Sequence, residues 1–348
     1  MQLVINSFGS SIKRNGEMFQ ISLKDKKTEI SARRIHSVLI TTGAHFSTDS
    51  IQLAIEHNID IVLLDKYGTP YGRFWSGRMG SSAAIRRAQF TIAENEQGLN
   101  IVKEWLKTKL NNQVLFIKEL YHHRKDKKSL FEPAIELINK NQIIIESLKG
   151  SVTEQRQKLL GLEGSSASAY WSVLGKLPPA PFQFDKRSQN PATDPVNAMI
   201  NYAYGVLYSK VERGCIIAGL DPYVGFLHTD RYNKKSLVFD LIEPFRIFAD
   251  RVVLKLFTGR KCRESMFRKD SSSAIVLEKS AKELLITRLN DYLEESVRYK
   301  IKSSKTGKTR QIKRRDTIQA EAHSLANAMI GKNIDDIPKV TEIGELFD

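Results

Sequence analysis

The spacing of apolar residues changes near residue 76, and that change divides the chain into two kinds of structure. Before it, short β-branched runs at residues 3–5, 18–22, 35–40 and 59–64 are separated by Gly, Asn, Asp and Lys, the pattern of strands and turns. Asn15-Gly16 is a two-residue hairpin signal. One helix is predicted over residues 48–57, capped by Ser47, with Ile51, Leu53, Ala54 and Ile55 as its apolar face. From Ala83 onward apolar residues recur every three or four positions, which predicts helices over 101–109, 114–122, 130–148, 152–174, 195–214, 237–257, 274–296 and 317–330. Strands first and helices after imply an α+β protein. The expected division is a small β-rich domain over 1–76, a linker over 77–86 containing Gly77-Arg-Met-Gly-Ser-Ser82, and a larger all-α domain over 87–335.

Charge then narrows the partners. The 348 residues include 54 Lys and Arg against 39 Asp and Glu, a formal net charge of +15. A surplus of this size suits a polyanion such as nucleic acid, whose counterions are released on binding. No apolar run approaches the roughly 20 residues needed to span a bilayer, and the N-terminus has no basic leader, so a cytoplasmic protein without a membrane partner is expected. Two cysteines, Cys215 and Cys262, cannot build a disulfide framework and read as buried thiols of a reducing compartment.

Against this basic background a few acids and one histidine stand out. Glu163 lies in Gly161-Leu-Glu-Gly-Ser-Ser-Ala-Ser-Ala-Tyr-Trp171, where a run of small residues permits close approach by a helix or a ligand. Glu163, Ala167 and Tyr170 are spaced to share one helical face. A carboxylate in such surroundings is costly to bury without a cation. Asp240 and Glu243, in Ser236-Leu-Val-Phe-Asp-Leu-Ile-Glu-Pro-Phe-Arg246, are three apart and expected on one face, with a kink at Pro244. Arg246 can pair with either acid or reach a phosphate. His228 ends an apolar run, Tyr223-Val-Gly-Phe-Leu-His, and its loop of Thr229 to Lys235 is short enough to fold over the first turn of the next helix. Arg231, Lys234 and Lys235 would then face the acids and bind substrate phosphates. Oxygen and imidazole donors suit Mg²⁺ or Mn²⁺, with imidazole favouring Mn²⁺.

The stretch from Arg298 to Arg315 carries nine Lys or Arg and no acid. Tyr299 and Ile301 alternate with the charges, which suggests a β-ribbon bringing Lys308, Arg310 and Lys313 along a phosphate backbone. Gly307-Lys308-Thr309 is not a nucleotide-binding loop, because Lys302 stands where that loop needs its first glycine.

Four stretches resemble the CRISPR-associated integrase family of the spacer-acquisition machinery. They are Gly-Leu-Glu-Gly followed by Ala-x-Tyr-Trp around Glu163, Asp194-Pro-Val-Asn-Ala-Met-Ile-Asn-Tyr-Ala-Tyr204, Gly219-Leu-Asp-Pro-Tyr-Val-Gly-Phe-Leu-His228 and the segment from Ser236 to Arg246. The resemblance runs from Met1 to about residue 335. It implies a β-rich N-terminal domain that forms a homodimer and a helical domain that holds Mg²⁺ or Mn²⁺ through Glu163, His228 and Glu243. Asp240 matches a neighbouring acidic position, as a further ligand or a supporting partner. Tyr208, on the same helix as Asn201, is expected either to contact DNA near the metal or to be a core tyrosine. The implied activity is insertion of short foreign DNA duplexes into a CRISPR array by 3′-hydroxyl attack on repeat phosphodiesters, with nuclease activity on double-stranded and branched DNA. Two dimers would be bridged by a small ferredoxin-like CRISPR adaptation protein. The residues alone also admit a stand-alone repair nuclease for branched DNA and a non-catalytic DNA-binding scaffold.

Overall fold

The computed structural model describes residues 1–74, 83–122, 124, 128–189, 191–229, 232–300 and 309–331. The N-terminal region comprises strands β1 (Gln2–Ile5), β2 (Ser10–Asn15), β3 (Met18–Leu23), β4 (Lys26–Ser31), β5 (Ser37–Ile40) and β6 (Ala44–Phe46), helix α1 (Thr48–Glu56), and strands β7 (Asp60–Leu64) and β8 (Pro70–Phe74). They form two four-stranded sheets, ordered β1-β5-β7-β8 and β4-β3-β2-β6. The Asn15-Gly16 hairpin joins β2 to β3, and the Ser47 hydroxyl caps α1 by accepting from the Ser50 amide at 3.2 Å.

Strands β1, β5 and β7 pair in parallel, so both faces of their sheet need cover. The two-residue alternation supplies it. Val38, Ile40 and Ile61 point into a small core with Ile12, Phe19 and Leu53, whereas Leu39, Val62 and Leu64 point the other way and join the core of the helical region. The small domain is thus fused to the large one through one sheet face.

The helical region comprises α2 (Ala83–Ala93), α3 (Glu96–His122), α4 (Lys128–Ser147), α5 (Val152–Leu174), α6 (Pro195–Ala218), α7 (Ser236–Leu241) and α8 (Arg246–Thr258), then β9 (Phe267–Lys269), β10 (Ile275–Leu277), α9 (Lys279–Glu294), β11 (Ser296–Lys300), β12 (Thr309–Lys313) and α10 (Arg314–Met329). The segments expected as separate helices over 101–109 and 114–122 are one helix of 27 residues, about 40 Å long. Asn111 and Asn112, which weaken that stretch locally, are held within it; Asn112 donates to the Pro244 carbonyl at 3.0 Å. The helix expected over 237–257 is broken by a 3₁₀ turn at Glu243–Phe245, where Pro244 removes a backbone donor. The segment over 274–296 begins as strand β10, and Ser296 opens β11. Two short ribbons, β9-β10 and β11-β12, therefore accompany the helices. Of the interval expected as linker, residues 83–86 belong to α2 and 77–82 lie outside the described residues.

Helix α6 is the hub. Asp194 caps it by accepting from the Asn197 amide at 2.8 Å, Pro195 opens its first turn, and Gly219 at φ 83° ends it. It is buried along nearly its whole length and packs on α8, α10 and the small domain. Its closest approach is to the β7–β8 turn, where a Cβ on Gly205 would lie 1.8 Å from the Gly68 carbonyl oxygen. Both cysteines are free and buried. Among the described residues no helix is long and apolar enough to cross a membrane.

Candidate active site

Three separate segments deliver Glu163, His228 and Glu243 to one cavity of about 450 Å³. Glu163 comes from the middle of α5, whose start is fixed by reciprocal bonds between Ser151 and Glu154. The small residues that follow it do form a wall, since Gly164, Ala167 and Ser168 line the cavity along with Trp171. Tyr170 does not share that wall. It is fully buried on the opposite side, donating to Asp250 at 3.0 Å, because one face of α5 must fill the core.

His228 ends an irregular segment pinned from three sides. Gln89 of α2 bonds the backbone of Asp221 and Val224, Arg156 of α5 donates to the carbonyls of Phe226 and Leu227, and Asp240 receives the rest. Gly225 lets this segment lie against α7, since a Cβ there would come within 2.5 Å of the Ser236 side chain. The Asp240 carboxylate accepts from the amides of Phe226 at 2.6 Å, Leu227 at 3.0 Å and His228 at 3.1 Å, and from His228 Nδ1 at 2.5 Å. A carboxylate oxygen accepts, so Nδ1 donates to Asp240 and Nε2 is left as the ring nitrogen available to a ligand. Asp240 is itself buried with a side-chain exposure of 0%. Its place is behind the histidine.

Asp240 and Glu243 therefore do not act from a shared helical face. The break at Pro244 separates them and turns Glu243 towards α3, where Lys109 contacts Glu243 at 2.6 Å and also pairs with Glu163. Arg246 meets Glu243 from the other side at 3.0 Å and donates to the Tyr208 hydroxyl at 3.0 Å. Burial alone pushes the Glu243 carboxyl up, but Arg246 and Lys109 outweigh it and hold the group well below the usual carboxylate range. Burial likewise pushes Lys109 down, and Glu243 with Glu163 reverse this to raise it. Among the described residues no three His, Cys, Asp or Glu side chains are grouped tightly enough to hold an ion as they stand, since an ammonium occupies the space between the two glutamates.

The donor set nonetheless suits a hard or borderline divalent ion. Two carboxylates already converge on a cation, and an imidazole oriented by a carboxylate faces the same cavity.

A second cavity of about 730 Å³ adjoins the first and shares Arg187, Gln189, Tyr204 and Arg246 with it. Its lining includes Tyr67 and Tyr71 of the small domain, Tyr208 and Phe239. Lys234 and Lys235 face this cavity and do not face the acids: Lys234 lies 5.2 Å from the centre of the Phe239 ring, and Lys235 pairs with Glu212 at 2.8 Å. The pairing explains the direction, since Glu212 on α6 is a nearer acid than Glu163 or Glu243. Arg231 and Lys308 lie outside the described residues. Arg310 is opposite Tyr299 in the β11-β12 ribbon, whereas Lys313 donates to the Glu294 carbonyl at 2.8 Å and lines neither cavity.

Three residues were not visible as site residues in the sequence. Lys109 and Gln113 occupy the buried face of α3 that also carries Val102, Trp105 and Leu106, so their spacing within an apolar stripe was the available signal. Arg187 lies in an irregular segment with no periodicity. It bonds Asn197 at 2.7 Å and also Asn201, with its guanidinium 5.7 Å from the Trp171 ring centre and 5.5 Å from that of Tyr204. Among the described residues no carboxylate lies at ion-pair distance from it; it lines both cavities, and buried Asp250 acts on its charge from farther off.

A two-sheet N-terminal domain fused to a helical domain with a histidine-carboxylate cavity defines a class, and comparison with known proteins names it. The model of the CRISPR associated protein Cas1 family matches residues 3–291. The chain is 31% identical over 313 residues to the CRISPR-associated endonuclease Cas1 1 of Archaeoglobus fulgidus, covering 86% of this chain and 90% of that protein. It is 30% identical over 308 residues to the CRISPR-associated endonuclease Cas1 2 of Rhodospirillum rubrum, covering 84% and 88%. Its fold is similar to that of a casposase bound to its integration product, with a TM-score of 0.80, 22% identity and coverage of 98% and 94%. This chain belongs to the Cas1 family.

Proposed function

We propose that this protein is a divalent-metal-dependent DNA integrase and endonuclease that inserts short duplexes into a CRISPR array. The observation that carries the reading is the convergence of Glu163, His228 and Glu243, from three distant segments, on one cavity flanked by Arg187 and Arg246. Glu163, His228 and Glu243 would hold Mg²⁺ or Mn²⁺. Bound there, the ion would neutralise phosphate oxygen and ease displacement at phosphorus.

The chain's own residues account for the rest. The nucleophile is a 3′-hydroxyl of the incoming DNA, so no serine, cysteine or tyrosine of the protein has to attack. What the protein must do is align two strands and stabilise charge on phosphorus. Arg187 is rigid, charged and without a carboxylate partner among the described residues, and so suits a phosphate of the attacked strand. Asp240 keeps His228 in one tautomer and orientation. The adjoining cavity, with aromatic faces at Tyr67, Tyr71, Tyr208 and Phe239 and with Lys234 at its rim, suits a single-stranded end of the DNA by stacking and backbone attraction.

Homodimer formation through the small domain is part of the same reading, supported by its exposed Phe8. So is bridging of two dimers by a small ferredoxin-like adaptation protein; in its support, this chain is similar in fold to a chain of a solved complex described as Cas6-RT-Cas1–Cas2. The deciding experiment is a half-site integration assay with a labelled short duplex and a repeat-containing plasmid, scanned over Mg²⁺ and Mn²⁺. Joined product that depends on the metal supports the proposal. Cleavage of branched DNA without joining would indicate a repair nuclease, and salt-sensitive binding without either reaction a scaffold.

A further inference from the structure

The cation between the two glutamates is the protein's own. Lys109 lies on α3 with a side-chain exposure of 7%, in contact with Glu163 and Glu243, while Arg246 holds Glu243 from the opposite side. The four charges, two negative and two positive, cancel. A divalent ion placed between the same two carboxylates would meet the Lys109 ammonium at close range, and like charges in contact within a low dielectric strongly repel. One turn further along α3, on the same face, Gln113 lines the same cavity, and its side-chain oxygen is buried with no hydrogen-bond partner among the described residues. An unused buried acceptor is costly in itself, so it calls for a donor.

We propose that Lys109 is a displaceable resident cation: its ammonium keeps Glu163 and Glu243 paired in the metal-free protein, and withdraws to the Gln113 side-chain oxygen when a divalent ion takes its place. This rests on the reading that Glu163, His228 and Glu243 hold the ion. Lys109 is a positioning residue, acting through the two glutamates. Its presence explains why a buried carboxylate pair can be prepared before metal arrives, and it makes metal uptake a competition whose outcome depends on ion concentration. Metal-free protein is thereby kept folded and inactive.

The test uses the full chain without DNA and reads Mn²⁺ binding by calorimetry together with melting temperature in EDTA. Lys109→Met should bind Mn²⁺ at least about tenfold more tightly than the unaltered protein, because an internal competitor has been removed. In EDTA the same variant should melt several degrees lower, with two glutamates left facing each other, and Mn²⁺ should raise its melting temperature more than it raises that of the parent. Should Lys109→Met fail to fold in EDTA, Gln113→Leu carries the test: it should melt as the parent does in EDTA but bind Mn²⁺ several-fold more weakly, since the withdrawn ammonium has lost its acceptor. Equal Mn²⁺ affinity in the parent, Lys109→Met and Gln113→Leu overturns the inference and leaves the metal reading intact. Absence of Mn²⁺ binding in all three overturns both, and identifies the metal reading as the part that failed.

Discussion

The two cavities share a wall of Arg187, Gln189, Tyr204 and Arg246, yet they offer a ligand opposite things. The smaller collects Glu163 and Glu243 and balances them with Lys109 and Arg246, so its acids are already paired. The larger presents aromatic faces with lysines at its rim, and its acid, Glu212, is held by Lys235. Charges locked in a buried network are arranged for chemistry at one atom, whereas rings and rim lysines suit a strand of any sequence. The difference separates turnover from grip, and substitutions on the two sides should fail in different ways.

The sharpest break is expected on the acidic side. Glu163→Ala or His228→Ala should lower strand joining by about a thousandfold or more, with duplex affinity in a gel-shift assay unchanged. Full joining by either variant in Mn²⁺ would remove the smaller cavity from the reaction. Next, Asp240→Asn should cost about ten- to a hundredfold in joining, because His228 loses the carboxylate that fixes its ring, and raising Mn²⁺ should recover part of the loss. On the other side, Tyr208→Ala or Lys234→Ala should weaken binding of DNA with single-stranded ends, by about 1–3 kcal/mol for the ring, with the maximal joining rate retained. Loss of rate at saturating DNA would show that the two cavities are one functional unit.

Asp250 gives a smaller, pH-dependent test of the shared wall. Burial raises its pKa to about 6, against the opposing bonds from the hydroxyls of Tyr204, at 2.7 Å, and Tyr170. A raised carboxylate means that the folded state holds the proton more tightly than the unfolded chain. Stability contributed by this group is therefore greatest below about pH 4 and declines as the pH rises to about 6. Asp250→Asn should flatten that decline in chemical denaturation, and an identical pH profile would count against it. The smallest effect belongs to Lys313→Ala, which lines neither cavity: joining should be unchanged and the salt dependence of binding should shift by at most about one counterion.

How much of this was legible in the sequence follows from where each signal lay. Glu163, His228 and Glu243 stood out because acids and histidine amid apolar or small residues are costly unless used, and all three reach one cavity. The helix over 152–174 and the break at Pro244 were readable from periodicity and from proline's missing donor. Lys109 was not, since one lysine inside a helical stripe carries no label until another segment brings acids to it. Arg187 belongs to a stretch without periodic order, where contacts alone define position. The directions of Lys234 and Lys235 turned on Glu212, which lies on a different helix. Parallel pairing of β1, β5 and β7 is a long-range choice that strand composition does not encode.

The backbone contact between Gly68 and Gly205 has a mechanical consequence. Helix α6 carries Tyr204 and Tyr208, and the turn resting on it belongs to the sheet of the small domain. With no side chain between them to act as a cushion, a shift of that turn would bear directly on the helix whose tyrosines line the groove. The seating of the sheet and the shape of the groove therefore meet at two glycines, and a single methyl group at either would prise them apart.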